Sequence, residues 1–142
     1  MMPVLLACCM LFTPALQAQT FPPALQAQTF PLETIALSER MLFVRGPDAN
    51  VLAVESSEGL ILIDGGHADW YDSLREVVEE AFPGVPIRAL INTQWHREQT
   101  GANVPLGSAG VEIIAHENTM LWLSTEVWQR WSDKKFSPLP KA

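Results

Sequence analysis

The 142 residues suffice for one domain with a modest core, and a formal charge of −7 leaves no basic face for nucleic acid or anionic lipid. Both cysteines, Cys8 and Cys9, lie in the apolar leader. The folded part therefore has no disulfide framework and no thiolate site, and any metal must sit on His and oxygen ligands.

Residues 1–18 have the pattern of a secretory signal peptide: an apolar run from Val4 to Leu16, then Ala18 as a small cleavage residue. The pattern lacks a basic n-region, since Arg40 is the first cation. It implies a periplasmic or secreted protein with no membrane attachment after cleavage. The segment Pro14–Pro22 is repeated without change as Pro23–Pro31, which duplicates the cleavage region at Ala27. One tandem copy this short is no solenoid, and residues 19–40 are expected to form a disordered linker.

The domain is expected over residues 41–136, with a tail at 137–142. Apolar, β-branched runs predict strands at 41–45, 50–55 and 60–64, the last two joined as a hairpin through Ser56-Ser57-Glu58-Gly59. From Asp69 the period becomes helical: Trp70, Leu74, Val77, Val78, Ala81 and Phe82 share a stripe, opposite Asp72, Glu76, Glu79 and Glu80. Asp69 is the expected N-cap of this 69–82 helix, and Pro83-Gly84 stops it. A strand at 87–91, a short helix at 101–106, a strand at 111–115 and a long helix at 116–131 follow. In that last helix Trp122, Trp128 and Trp131 form either an apolar face or a binding box. A helix between strands predicts a mixed α/β (α+β) fold, with helices packed on one face of the sheet.

The polar turn after the 87–91 strand gathers Gln94, His96, Glu98 and Gln99 at a strand's carboxyl end, where open α/β sheets place ligands. Residues two apart on an extended segment point the same way, so Gln94, His96 and Glu98 can converge. His96 is either a metal ligand or a donor that fixes the loop. Glu98 is a ligand, a general base on water or, with the two Gln, part of the loop's hydrogen bonding. Gln94 and Gln99 offer neutral amide oxygens, suited to hard cations such as calcium and poor for zinc. His67 reads as a surface loop residue. His116 either lines a cleft or caps the last helix, and Trp95 is a plug behind the loop or a substrate wall.

Thr93-Gln94-Trp95-His96-Arg97-Glu98-Gln99-Thr100-Gly101-Ala102-Asn103 resembles the signature loop of the metallo-β-lactamase superfamily, Thr-His-x-His-x-Asp-His-x-Gly-Gly-Asn. Thr93, His96, Gly101 and Asn103 match. Gln94 and Gln99 stand where His would be, Glu98 where Asp would be and Ala102 where Gly often is. Asn50-Val51, Leu62-Ile63-Asp64-Gly65-Gly66 and His116-Glu117-Asn118-Thr119 are similar to other family segments, so the likeness runs over roughly residues 41–131.

The resemblance implies the first half of an αβ/βα sandwich and hydrolysis of an ester, amide, lactam or phosphodiester in a small-molecule substrate. It also implies one or two zinc ions, whose bound hydroxide attacks the substrate. It puts Gln94, His96, Glu98 and Gln99 at the metal positions, Asp64 behind the loop as a brace, and Asn103 as a tie on the loop backbone. A helix cap or turn is the alternative for Asp64. The family's later His ligand and bridging Asp have no equivalents after His116, where no further His and a single Asp, Asp133, occur. The expectation is a fragment with weak or no activity, a non-catalytic interaction protein, or a half that associates through its uncovered face.

Overall fold

The computed structural model describes residues 30–131 and 133–140. Six strands form one sheet in chain order: β1 (Glu33–Ser38), β2 (Met41–Arg45), β3 (Asn50–Glu55), β4 (Leu60–Ile63), β5 (Ile87–Asn92) and β6 (Glu112–Ala115). The first four make an antiparallel meander, and β4, β5 and β6 run parallel. Parallel neighbours need crossovers. These are α1 (Tyr71–Ala81), preceded by a 3-10 turn at Ala68–Trp70, and α2 (Asn103–Ser108).

Strand alternation sorts the residues into two faces. Leu42, Val44, Val51, Ala53, Leu62 and Leu90 pack with Trp70, Leu74, Val78, Phe82 and Leu106 to form the core between sheet and helices. The other face carries a row of register partners across all six strands: Ile35, Phe43, Leu52, Ile63, Ile91 and Ile114. Ile35 and Ile114, at its two ends, are 37% and 42% exposed. The sheet is thus apolar on both faces, and the helices cover one of them. This is the mixed α/β architecture the sequence predicts.

Several local expectations are corrected. The leader at 1–18 lies outside the described residues, but the linker expected at 19–40 gives way to ordered structure from Phe30 onward. There Phe30 N donates to Ser73 Oγ at 3.0 Å, Phe30 and Leu32 pack against the core, and β1 pairs with β2. The N-cap at the α1 end is not Asp69. The Nδ1 of His67 accepts from Asp69 N at 3.2 Å and opens the 3-10 turn.

The helix expected at 116–131 stops at Leu123, and α3 is Glu117–Leu123. The hydroxyls of Ser124 and Thr125 both donate to Leu121 O, at 2.9 and 3.2 Å, which offers that carbonyl an alternative to another helical turn. The chain then forms a small hairpin of β7 (Val127–Gln129) and β8 (Lys134–Phe136). Trp122 belongs to α3, Trp128 to β7 and Trp131 to the turn, so the three share no helix face. The tail is tied back where Leu139 N donates to Leu123 O at 2.8 Å.

Candidate functional site

The loop after β5 is fastened at both ends to the segment after β4. Asp64 has a left-handed backbone, φ 61°, a conformation that costs a non-glycine residue energy. Its N–H still reaches Ile91 O at 2.8 Å, and its carboxylate faces Thr93. Oδ1 accepts from Thr93 N at 2.8 Å and Oδ2 from Thr93 Oγ1 at 2.7 Å. At the far end Gly65 N donates to Gln99 O at 2.6 Å and Gly101 N to Gly66 O at 2.7 Å. These contacts need backbone against backbone. A Cβ on Gly101 would run into the main chain of Gly66, His67 and Ala68, and Gly66 has φ 63° under the Trp70 ring. Within the loop, Gln99 N and Thr100 Oγ1 both donate to His96 O. The Asp64 carboxylate thus holds the first residue of the loop by two hydrogen bonds.

The middle of the loop faces the C-terminal hairpin. The His96 ring meets Trp95 edge-on at 4.6 Å and Trp131 at 4.9 Å, and Trp95 stacks on Trp122 at 5.5 Å. The Glu98 carboxylate accepts two long hydrogen bonds, 3.3 and 3.5 Å, from Nε2 of Gln129, a side chain buried in β7. The Arg97 guanidinium donates to Ser137 O at 2.5 Å and lies 5.5 Å over the Phe136 ring. Burial lowers the Arg97 pKa from its ordinary value, because the cation is partly stripped of water. Three successive loop residues thus each touch the hairpin.

The remaining predicted residues differ in burial and in partners. Gln94 is half-buried, and Gln99 keeps Oε1 buried with no hydrogen-bond partner among the described residues. His116 caps α3, with Nδ1 accepting from Asn118 N at 3.2 Å, so of its two readings the cap is the one realised. Asn103 is buried at the start of α2, but its Oδ1 has no hydrogen-bond partner among the described residues, so that oxygen does not tie the loop backbone. Sequence reasoning passed over Gln129 and Arg97. The signal the sequence offers is a Gln between two Trp, Trp128 and Trp131, shortly after Thr125.

The donor set does not fit zinc. Catalytic zinc sites take three protein ligands from imidazole, carboxylate or thiolate. Among the described residues no three His, Cys, Asp or Glu side chains group so as to hold a metal ion. Glu98 is engaged by an amide, and the two Gln bring neutral oxygens.

No protein-family model matches the sequence, and no curated protein does. Solved structures do match. A motif mutant of a metallo-β-lactamase from Cronobacter sakazakii superposes with TM-score 0.58 at 19% identity, over 66% of this chain and 38% of that one. A metallo-β-lactamase from Hirschia baltica gives 0.54 at 24% identity, over 63% and 45%. A double mutant of the sec-alkylsulfatase PisA1 gives 0.54 at 23% identity, over 63% and 16%. The chain has the metallo-β-lactamase fold, as its loop motif implies. It spans less than half the length of these structures.

Proposed function

We propose that the chain belongs to a line of metallo-β-lactamase-fold hydrolases and that its signature loop is here a fastened turn, not a tight zinc cradle. The observation that carries this reading is the Glu98 carboxylate turned to Gln129, on a loop whose frame is still held by Asp64 and Thr93. The loop is fastened at both ends, and of its four motif positions only His96 and Glu98 carry side chains that zinc favours. The reaction class that goes with the fold is hydrolysis of an ester, amide, lactam or phosphodiester in a small molecule. On its own this chain is expected to carry out that reaction weakly or not at all. Fold alone does not choose among these substrates.

The test is metal content and zinc titration of the purified chain. Sub-stoichiometric zinc, unchanged by His96→Ala, is the expected result. One tightly held zinc that disappears with His96→Ala would overturn the proposal in favour of an active metal site. Calcium belongs in the same titration, because two amide oxygens and a carboxylate suit a harder cation.

A second reading, a half that works only with another layer against it, is favoured by the apolar row Ile35 to Ile114 on a sheet face that none of the described helices covers. A leader at 1–18 makes periplasmic or secreted placement part of the same proposal. Mass spectrometry of the mature N-terminus checks it, with a start after Ala18 or Ala27 expected and an intact Met1 opposing it.

A further inference from the structure

Behind the loop, α2, β6 and α3 enclose a cleft of about 770 Å³. Ile113, in its wall, is the register partner of Leu90 in the core. The cleft therefore opens on the helix side of the sheet, and the bare face has no part in it. None of Gln94, His96, Glu98 or Gln99 lines it. Its wall is largely apolar, from Val104, Ile113, Met120 and Leu121, and the last two are each 59% exposed. Asn92 and Asn103 also line it, but at 3% and 7% exposure they are sunk in the wall and take no part in recognition. The polar residues open to a ligand are Ser108, Glu117 and Ser124, all exposed. An apolar cleft of this size with a few polar groups is what small-molecule sites look like.

Glu117 and Ser124 bracket the apolar wall. Glu117 begins α3 and Ser124 caps it about 10 Å further along the helix axis, with Met120 and Leu121 between them. The Ser124 hydroxyl donates to Leu121 O at 2.9 Å, so toward a ligand it can only accept. Ser108, at the end of α2, can donate or accept and so does not choose a charge. Glu117 does. It is the one charged side chain among the described residues that line the cleft, and its carboxylate makes no ion pair among them. An ionised carboxylate only accepts, and the formal charge of −7 on the chain adds to the pull on a cation. We infer that this cleft binds a primary aliphatic ammonium. The N–H bonds of its head meet the Glu117 carboxylate, and its chain lies along Met120, Leu121 and Ile113. An aliphatic carboxylate of the same length would set like charges side by side, and an alcohol would bring no charge to the pair.

The experiment uses the full chain with hexylammonium, 1-hexanol and hexanoate as probes. Affinity is followed by calorimetry, and the methyl signals of Met120 and Leu121 by NMR. Hexylammonium is expected to bind saturably and to shift both methyl signals. It should bind about fivefold tighter than 1-hexanol, the size expected of one partly exposed ion pair, and hexanoate should bind weakest. Added salt should shrink that order. Glu117→Gln is expected to erase the preference for the ammonium. Glu126→Gln removes a neighbouring exposed carboxylate that does not line the cleft, and should leave the preference intact. Leu121→Trp should fill the cleft and weaken all three probes while leaving Glu117 in place. The proposal fails if the three probes bind alike, if none saturates, or if hexylammonium binds Leu121→Trp as well as it binds the parent chain. It also fails if the preference survives Glu117→Gln, or if Glu126→Gln removes it equally, which would mark a general attraction to an acidic surface. Zinc and the loop side chains enter none of these outcomes.

Discussion

Asp64 holds a left-handed backbone so that one carboxylate can collect both donors of Thr93. Hydrogen bonds to an ionised group are stronger than neutral ones, and left-handed φ is tolerated by Asn and Asp better than by Ala. Asp64→Ala is therefore expected to lose about 2–3 kcal/mol of stability, through both bonds and the backbone cost together. Asp64→Asn, which keeps an acceptor and tolerates the same φ, should lose less than half of that. Urea unfolding separates the two, and equal losses would show that the carboxylate does not hold the loop. Tyr71 makes a second residue-scale prediction. Burial raises its pKa above the ordinary value of 10.0, so the folded state favours the neutral phenol. The folded state then binds the proton more tightly than the unfolded state. The contribution to stability is full below about pH 10 and is lost as pH rises through the folded pKa. Tyr71→Phe should flatten alkaline denaturation in that window, and an unchanged alkaline limb would contradict the assignment.

At the scale of elements, the β7–β8 hairpin is where sequence reading and structure part. Strands β2 and β3 were legible to the residue, because Met41–Arg45 and Asn50–Glu55 are apolar, β-branched runs bounded by turn residues. The brace of Asp64 was legible only through the resemblance, since nothing local says that a residue after β4 will reach the loop after β5. The stretch after Leu123 reads as helix because its apolar residues fit a helical stripe, whereas the chain there turns into a hairpin. The competing signal was the adjacent hydroxyls of Ser124 and Thr125 and the β-branched Val127. Nothing local in the sequence pairs Gln129 with Glu98, 31 residues away. Gln129→Leu is expected to destabilise the chain by about 1–3 kcal/mol, since it removes a buried amide facing a carboxylate. It should also free Glu98, so cation affinity at the loop should rise in a calcium titration. Unaltered affinity would mean that the hairpin does not compete for that side chain.

At the scale of the whole molecule, the sheet face opposite the helices decides behaviour in solution. Ile35, Phe43, Leu52, Ile63, Ile91 and Ile114 form a continuous apolar row that nothing in the described residues covers with a helix or second sheet. Contiguous apolar surface of that kind marks an interaction site or an aggregation liability. The isolated chain is expected to self-associate, with light scattering giving a mass above 15.7 kDa. Leu52→Lys, at the middle of the row and only partly buried, should shift the population toward monomer with the fold retained. A monodisperse monomer of the parent chain would exclude the association.

How such copies meet depends on the rim of the sheet. Along β1 the pairing slips between Ala36 and Ser38, and Arg45 reaches across to Glu33 at 2.9 Å. An irregular, charged margin is a poor template for another strand. At the opposite margin β6 has only four residues, too few to seed a long ladder. Growth by adding strand to strand, the route to filaments, is thereby obstructed on both sides, while stacking flat against flat closes on itself after two copies. Association through the bare layer is therefore expected to stop at two copies.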